Sequence, residues 1–408
     1  MEVMHARCAG VDVHKDSVVG CVRMQQDAQA VHQIRTFGTT TRELLRLSDW
    51  LGEHDVTHEA MEATGVYWKP VWHVLDGAFE LVLANAMHIK NVPGRKTDVN
   101  DATWISDLLA HGLIRSSFVP PTAIQDMRTL MRTRKQFVRE RAQHVLRIQK
   151  TLEDANLKIA SVVSDVTGTS GRAILRAIID GKTSPEELLT TTTGRLRAAE
   201  SVLLEALRGR IRPPHRFLLK LHLGQIDALE KSVADIDTEV GALLEPFRAK
   251  TKRLMTIPGI SDVAAQVLVS EIGVDMSRFP TAGHLISWAG LCPRNDESAG
   301  KRRSTRLRQG APWLKTTLVQ AAWSAARCKE GYLPAQFLRI KVRRGPQKAI
   351  MAVASSMLTA AYYILRDDLD YRDLGSNYFN HVDRKKAATR LVKRLSDLGF
   401  TVEIKEAA

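Results

Sequence analysis

Four carboxylates in the amino-terminal part of the chain have residue types and spacing suited to phosphate chemistry. Asp98 and Asp101, in the run GRKTDVNDA, would share one face at the start of a helix. Asp12 follows the apolar run CAGV, and Glu62 closes the strand-like run VTHEAME. A buried carboxylate is costly unless it is paired or binds a cation. The set predicts an all-oxygen site for two Mg²⁺ ions about 4 Å apart, which activate an attacking oxygen and stabilise a leaving one.

Each of these carboxylates also has an ordinary structural explanation. Asp98 taken alone is better explained as an N-cap or first-turn residue of a helix, a role that contributes about 0.5–2 kcal/mol. Asp16 is expected in a turn, and Glu59 is expected on the solvent-facing side of its strand. Only the four carboxylates together, in this order along the strands, favour a catalytic site.

A serine in a basic stretch nearer the carboxyl end supplies a second kind of chemistry. Ser298 precedes Ala299 and Gly300 in a segment expected to be an exposed loop. The cations nearby are Lys301, Arg302, Arg303, Arg306 and Arg308. A hydroxyl among guanidinium groups could attack a phosphodiester whose charge these cations stabilise. Because serine is an ordinary loop residue, this spacing alone gives the nucleophile little weight.

The predicted secondary structure that must position these residues changes along the chain from alternating strands and helices to long helices. Residues 1–121 alternate strand and helix signals: three strands, a helix, a strand, a helix, a strand and a helix, closed by Pro120 and Pro121. From Ile124 to about residue 162 apolar residues repeat every seven positions, which predicts one long coiled-coil-like helix. The fold class is therefore α/β followed by all-α.

The long helix has a strongly basic outer face. Its candidate nucleic-acid contacts are Arg128, Arg132, Lys135 and Arg139. A second apolar seam from Leu219 to Phe247 has an acidic outer face. The two seams predict either an antiparallel pair within one chain or a stalk that joins two chains. Beyond them, LMTIPGIS followed by DVAAQVLVSEIG predicts a helix-hairpin-helix-like segment, whose turn is either a phosphate contact or a simple tight turn.

Composition supports a polyanionic partner. The chain has 408 residues and a formal net charge of +14, which favours nucleic acid without excluding a merely solvated basic surface. Its four cysteines have neither disulfide-framework nor zinc-ligand spacing, so reduced thiols in the cytoplasm are expected. No signal peptide opens the sequence, and no apolar run approaches the roughly 18 residues of a membrane span. A membrane partner is therefore not expected.

Three motifs in the first 120 residues carry a family resemblance. GVDVHKD, EATGVYW and KTDVNDA, in this order, resemble the DEDD domain of the insertion-sequence 110 family of transposases, which is similar to the RuvC-like branch of the ribonuclease H fold. Further along, IPGI, FPTAGHLISWAGLCP, ESAGK and LRQGAPWLK resemble the carboxyl-terminal transposase domain of the same family. That domain has its serine nucleophile in the loop matched by ESAGK, which is Ser298 here, with Ser304 as a weaker alternative.

The resemblance implies a specific activity. It implies strand cleavage and exchange through a serine-linked DNA intermediate, with Mg²⁺ held by the DEDD carboxylates. The carboxylates and the serine would form a composite site across the protomers of a homo-oligomer, a dimer or a tetramer. It also implies guidance by a structured non-coding RNA from the element, which pairs with donor and target DNA. The expected location is the bacterial cytoplasm, at the nucleoid when bound to DNA.

These expectations divide the chain into four parts. They are a RuvC-like nuclease domain at 1–121, a coiled-coil-like region at 122–250, a transposase domain at 251–365 and a polar tail at 366–408 without chemistry of its own. Two alternatives remain open. One is a metal-dependent Holliday-junction-type resolvase that uses water and leaves the serine idle, and the other is a non-catalytic nucleic-acid-binding scaffold.

Overall fold

In the computed structural model the described residues are 2–26, 29–63, 65–90, 92, 100–192, 198–293, 296–304, 306–307, 310–379 and 384–402. Contacts divide the chain into two units, Met1–Val119 and Pro120–Ala408. The further divisions expected after residues 250 and 365 stay predictions.

The first unit is built on a mixed five-stranded sheet. The strands are β1 (Arg7–Val13), β2 (Ser17–Gln26), β3 (Gln29–Gly38), β4 (His58–Glu62) and β5 (Glu80–Ala84). Their order is β3-β2-β1-β4-β5, with β1 to β3 antiparallel and β4 and β5 parallel to β1. Parallel neighbours need crossover connections, and helices supply them. The mixed α/β character expected of this part is confirmed.

Helices cover both faces of this sheet. They are α1 (Thr41–Glu53), α2 (Trp68–Leu75), α3 (Ala86–Lys90) and α4 (Asp101–Ala110). Because side chains alternate along a strand, Ala9, Val11 and Val13 of β1 join the core under α1 and α2. Cys8 of the same strand joins a second core under α4. The residues that face α4 therefore include every second position of β1, and Asp12 is one of them.

The first part of the second unit contains two long helices, α5 and α10, that pack against each other, with four short helices between them in the described part of the sequence. In chain order the helices here are α5 (Thr122–Asp154), α6 (Ile159–Val162), α7 (Thr169–Ile179), α8 (Pro185–Thr190), α9 (Glu200–Ala206) and α10 (Pro213–Leu243). Helices α5 and α10 are antiparallel, since Arg134 pairs with Asp237 whereas Arg141, further along α5, pairs with Glu230. The antiparallel pair within one chain, one of the two expected arrangements, is thus present. Its use as a stalk between chains stays a prediction.

The continuous heptad seam expected from Ile124 to residue 162 is wrong in its last part. Helix α5 ends at Asp154, and Asn156 then adopts a left-handed conformation with φ 55°, which closes a helix rather than continuing it. Ile159 therefore lies in the separate helix α6. Within α5 the seam is also incomplete, because Val138 is 42% exposed.

The rest of the second unit is a helical bundle with one small hairpin. Its helices are α11 (Arg248–Leu254), α12 (Asp262–Ile272), α13 (Ala282–Ala289), α14 (Pro312–Ala325), α15 (Tyr332–Arg344), α16 (Pro346–Asp367) and α17 (Arg384–Asp397). Strands β6 (Asp296–Ser298) and β7 (Lys301–Ser304) form the hairpin. Among the described residues one helix, α16, is long and apolar enough to cross a membrane, and 56% of its apolar window is buried inside the fold. The expectation that no apolar stretch approaches this length is wrong, and α16 is interpreted as a core helix.

The beginning of the polar tail is packed rather than appended. Asp368 pairs with Lys250 at 2.8 Å, and Tyr371 N donates to Thr256 Oγ1 at 2.9 Å. Asp373 Oδ1 accepts from Tyr332 N, the first residue of α15, at 2.9 Å. This part of the tail therefore belongs to the bundle.

Candidate active site

Asp12 and Glu62 occupy corresponding positions on neighbouring parallel strands. In the register of β1 and β4, Val11 is opposite Met61, and the next residue on each strand is the carboxylate. Both carboxylates are half-buried, with 16% of the Asp12 side chain exposed. His14 Nε2 lies 3.2 Å from Asp12 Oδ2. The carboxyl ends of the two strands thus place two acidic side chains side by side.

The amino end of α4 lies over the same ends of the strands. An added Cβ on Gly10 would stand 2.2 Å from Ala102 O and 2.4 Å from Ser106 N, so helix and strand are in backbone contact there. At the other end of the pair, Met4 N donates to Ala110 O at 2.8 Å. Helix α4 therefore runs antiparallel to β1, and its first residue, Asp101, is at the end where Asp12 lies.

The start of α4 is fixed by Asn100. The Asn100 side chain accepts a hydrogen bond from Ala102 N at 2.9 Å, and Asp101 is the first helical residue. The N-cap role considered for Asp98 is therefore filled by Asn100. Asp98 itself lies outside the described residues. The helix dipole places partial positive charge at this end, which favours anionic groups near it.

This arrangement is compatible with a divalent cation. Within the described parts of the chain no group of three or more His, Cys, Asp or Glu side chains is close enough to form a metal site. Asp12, Glu62 and Asp101 nevertheless provide carboxylate oxygen at one end of the sheet, and oxygen is the donor that Mg²⁺ prefers. The donor set fits such an ion in its chemistry.

Ser298, expected in an exposed loop, is the last residue of the first strand of a tight hairpin. Ser298 pairs with Lys301 across Ala299 and Gly300, whose φ angles are 50° and 71°. Two central residues with positive φ are typical of the type I′ turn, whose twist matches that of the strands. Ala299, Gly300 and Lys301 are exposed. The side chains of Ser298, Arg302 and Arg303, and the whole of Arg308, lie outside the described part of the structure.

The base of this hairpin is held against the bundle. Pro293 bridges Leu307, and an added Cβ on Gly310 would stand 2.4 Å from Gly290 N. Arg306, one of the cations expected to contact phosphate, is exposed here. The chain then enters α14 at Pro312. The hairpin is thus a projection with a closely packed base.

The basic residues of α5 differ in their contacts, and two of them bind the end of α12. Arg128 donates to the backbone oxygens of Ser270 and Glu271 at the end of α12, at 3.1 and 2.6 Å. Arg132 makes two 2.8 Å hydrogen bonds to the carboxylate of Glu271, which is 2% exposed. Burial lowers the pKa of Arg128 to about 10. These two arginines, expected to contact nucleic acid, have contacts inside the unit.

Lys135 and Arg139 surround an aromatic ring instead. Lys135 Nζ donates to Trp313 O at 3.3 Å and to Thr316 Oγ1 at 2.5 Å. Arg139 is exposed, and its guanidinium lies 5.4 Å from the centre of the Trp313 ring. Burial, and then the nearby charge of Arg139, lower the pKa of Lys135.

Two residues important to this geometry, Glu271 and Trp313, were not singled out in the sequence, and the burial of a third, Glu59, was predicted wrongly. Glu271 lies within a mainly apolar run, VLVSEI, and a carboxylate in such a run must find a partner. Trp313 directly follows the proline that starts α14. Glu59 was expected on the solvent side of β4, but it is 0% exposed. The first two were detectable in principle; the error at Glu59 arises because both faces of β4 are covered.

Comparison with known families finds two matching models, and the first of them extends beyond the first unit and past the end of α5. Residues 9–157 match the insertion-sequence 110 DEDD family model, described as a transposase. Residues 251–337 match the model described as Transposase IS116/IS110/IS902 family. With the carboxylates on one unit and the serine hairpin on the other, these matches define a DNA transposase, which is an enzyme. More particularly, the chain belongs to the insertion-sequence 110 family of transposases.

Individual proteins are similar to this chain over different fractions of its length. The Transposase for insertion sequence element IS1111A of Coxiella burnetii is 22% identical over 71% of this chain and 72% of its own length. The Insertion element IS110 uncharacterized 43.6 kDa protein of Streptomyces coelicolor is 27% identical over 36% of each chain. The Pilin gene-inverting protein of Moraxella bovis is 29% identical over 34% of this chain and 44% of its own length. The last two matches cover less than half of either chain.

Proposed function

We propose that this transposase is a site-specific recombinase that cuts and exchanges the DNA strands of an insertion sequence. The observation that carries the proposal is the position of Asp12 and Glu62 on neighbouring strand ends, with Asp101 at the helix end above the same face. The similarity to a pilin gene-inverting protein supports recombination within DNA as the reaction class.

The first unit is proposed to be a RuvC-like ribonuclease H domain. The order of an antiparallel meander followed by two parallel strands supports this assignment. Asp12, Glu62, Asp98 and Asp101 are the proposed ligands of Mg²⁺. When bound, the ion would activate an attacking oxygen and neutralise charge on the scissile phosphate. The chain's own contribution is to hold these carboxylates at one end of the sheet, where Gly10 allows α4 to approach β1 closely.

Ser298 is the proposed nucleophile. Its hydroxyl oxygen would lose its proton and form an ester bond to phosphorus, while the bond from phosphorus to one deoxyribose oxygen breaks and that oxygen takes up a proton, so that no net proton is gained or lost. The phosphodiester energy is kept in the serine ester, so a second DNA hydroxyl can reverse the step and rejoin a strand without a co-reactant. Lys301, Arg302, Arg303, Arg306 and Arg308 are the proposed cations around the phosphate. Ser304 stays the weaker alternative.

The proposed partners are DNA, a structured guide RNA from the element and further copies of this chain. The family resemblance supports the guide, and the net charge of +14 suits two polyanionic ligands. The antiparallel α5 and α10 pair provides a long surface for self-association. We propose that the enzyme acts on nucleoid DNA in the cytoplasm.

The test is a denaturing gel with mass analysis of the full-length protein on a junction of the element ends. The reaction contains Mg²⁺ and RNA transcribed from the flanking DNA, and it compares wild type with Ser298→Ala, Ser304→Ala and Asp12→Asn. We expect a DNA adduct at Ser298 that Ser298→Ala abolishes, Ser304→Ala retains and Asp12→Asn reduces.

Other outcomes identify other enzymes. Metal-dependent cutting without an adduct, unchanged in Ser298→Ala, would mean a resolvase that uses water. Full recombination by Asp12→Asn would remove the metal part of the proposal. Binding without any cleavage by the wild type would leave only a nucleic-acid scaffold.

A further inference from the structure

Trp313 is surrounded by more positive charge than its neighbours neutralise. Arg132, Lys135 and Arg139 lie 5.7, 5.6 and 5.4 Å from the centre of its ring. Among the described residues, the carboxylate that contacts this group is Glu271, and both of its oxygens accept from Arg132. Like charges brought together raise the energy of a site unless an anion compensates them. The excess cation therefore points to an anionic ligand.

Of these three cations, Arg139 is the one that makes no hydrogen bond or ion pair with the described residues, so all of its donors are left for a ligand. Arg132 makes its two hydrogen bonds to Glu271, and the Lys135 ammonium donates to Trp313 O and to the hydroxyls of Thr316 and Thr317. Arg139 is exposed and forms no ion pair with any described carboxylate. An arginine on an aromatic face keeps its planar donors free at the edge, in a fixed orientation.

Trp313 also connects this cluster to the serine hairpin. It is the second residue of α14, which begins two residues after Gly310 at the packed base of the hairpin. An anion bound by Arg139 would therefore lie on the side of the bundle from which the hairpin projects. A nucleic-acid strand that reaches the hairpin presents one phosphate after another along this side.

We propose that Arg139, oriented by the Trp313 ring, binds a backbone phosphate of the nucleic acid held next to the Ser298 hairpin. Lys135 and Arg132 strengthen the local positive potential, but Lys135 gives its donors to the protein and Arg132 gives two of its five N–H donors to Glu271. The inference rests on the proposed recombinase function and specifies one of its contacts. It also separates Arg139 from Arg128, Arg132 and Lys135, the other candidate contacts on α5, which a charge count treats alike.

Salt dependence of binding tests this contact directly. Each phosphate neutralised on duplex DNA contributes about 0.9 to the slope of log affinity against log salt, and about 0.7 on a single strand. We expect Arg139→Gln to lower the slope by about that amount. Between 50 and 200 mM salt, the affinity advantage of wild type over the variant would then shrink about 3.5-fold on duplex DNA. One arm uses duplex DNA of the element end, and the other uses RNA transcribed from the flanking DNA.

The matched control is Arg134→Gln on the same helix. Arg134 makes two hydrogen bonds to Asp237, at 2.5 and 3.0 Å, so its charge is already neutralised and the slope should not change. Trp313→Leu tests orientation by the ring. If the ring positions Arg139, adding Arg139→Gln to Trp313→Leu should lower the slope less than it does in the wild type.

The outcomes separate this inference from the recombinase proposal. A lower slope in either arm supports the contact and identifies its source as DNA or RNA. An unchanged slope in both arms, with binding and adduct formation intact, overturns the contact and leaves the recombinase standing. A wild type that binds neither nucleic acid overturns both. If Arg139→Gln lowers the slope equally in the wild type and in Trp313→Leu, the Trp313 ring does not orient Arg139.

Discussion

Glu59 should make the stability of the first unit depend on pH. It lies on β4 between Ala9 and Leu81 in the sheet register, is 0% exposed, and neither carboxyl oxygen has a hydrogen-bond partner among the described residues. Burial raises the pKa of this carboxyl well above its usual value of 4.5. The acid is therefore neutral in the folded state at pH values where it is ionised in the unfolded chain.

The expected magnitude follows from two costs. A buried polar group without a hydrogen bond costs about 1–3 kcal/mol, so Glu59→Met should raise the free energy of unfolding by about that amount at pH 5. Above pH 4.5 the folded wild type binds more protons than the unfolded chain, so wild-type stability falls as pH rises towards the folded pKa. The limiting slope is about 1.4 kcal/mol per pH unit. The methionine variant has no such loss.

Urea unfolding of the full chain at pH 5, 6, 7 and 8, followed by tryptophan fluorescence, measures this difference. We expect the gap between Glu59→Met and wild type to widen with pH. Glu59→Gln is the control, because it removes the titration but keeps an unpaired polar group. It should therefore remain below the methionine variant by a constant amount. A gap that does not change with pH, or a methionine variant less stable than wild type, would refute the assignment of Glu59 as a neutral, unpaired acid.

Three further substitutions test the packing around the two candidate sites. Gly10→Ala should cost about 1–3 kcal/mol in urea unfolding and reduce Mg²⁺-dependent cleavage, because its Cβ would stand 2.2 Å from Ala102 O and displace α4. Glu271→Gln should cost about 3 kcal/mol, the lower end for a broken buried pair, since 38% of the Arg132 side chain is exposed. Ala299→Gly should slow amide hydrogen exchange in the hairpin, because glycine removes about 1 kcal/mol of left-handed strain.

Controls and contrary results are specific to each substitution. Gly52→Ala has nothing within 4 Å of the added Cβ and should stabilise α1 by about 0.5 kcal/mol, so a loss there would show that unfolding does not report packing. Wild-type cleavage by Gly10→Ala would mean that the approach of α4 to β1 does not position the carboxylates. An unchanged unfolding curve for Glu271→Gln would contradict a stabilising Arg132–Glu271 ion pair. Faster amide exchange after Ala299→Gly would contradict left-handed strain at Ala299.

The arrangement of strands was predictable because local signals and topology agree there. Alternating apolar runs and turn residues locate β1 to β5 in the sequence. Asp12 and Glu62 lie at or near the ends of two such runs, and the register of β1 with β4 places them beside each other. Asn100 was harder to assign, since any of several polar residues before α4 could cap it, and the cap is decided by the backbone geometry.

Burial of single polar residues was not predictable from the same patterns. Glu59 alternates with apolar neighbours on β4 and so has the pattern of a half-exposed strand. That pattern fails for a strand between two parallel neighbours with helices on both faces. The heptad repeat likewise continued past Asp154, although Asn156 ends the helix through its backbone conformation. In both cases tertiary context or one local conformation overrides a periodic signal.

The basic face of α5 shows why net charge is a weak guide to which residues bind nucleic acid. Each arginine there looked alike in sequence, yet Arg128 and Arg132 bind the end of α12, and Arg134 binds Asp237. A cation already paired within the protein releases no counterion from DNA when the complex forms. The salt dependence of binding should therefore count exposed, unpaired cations such as Arg139, and it should be smaller than the formal charge suggests.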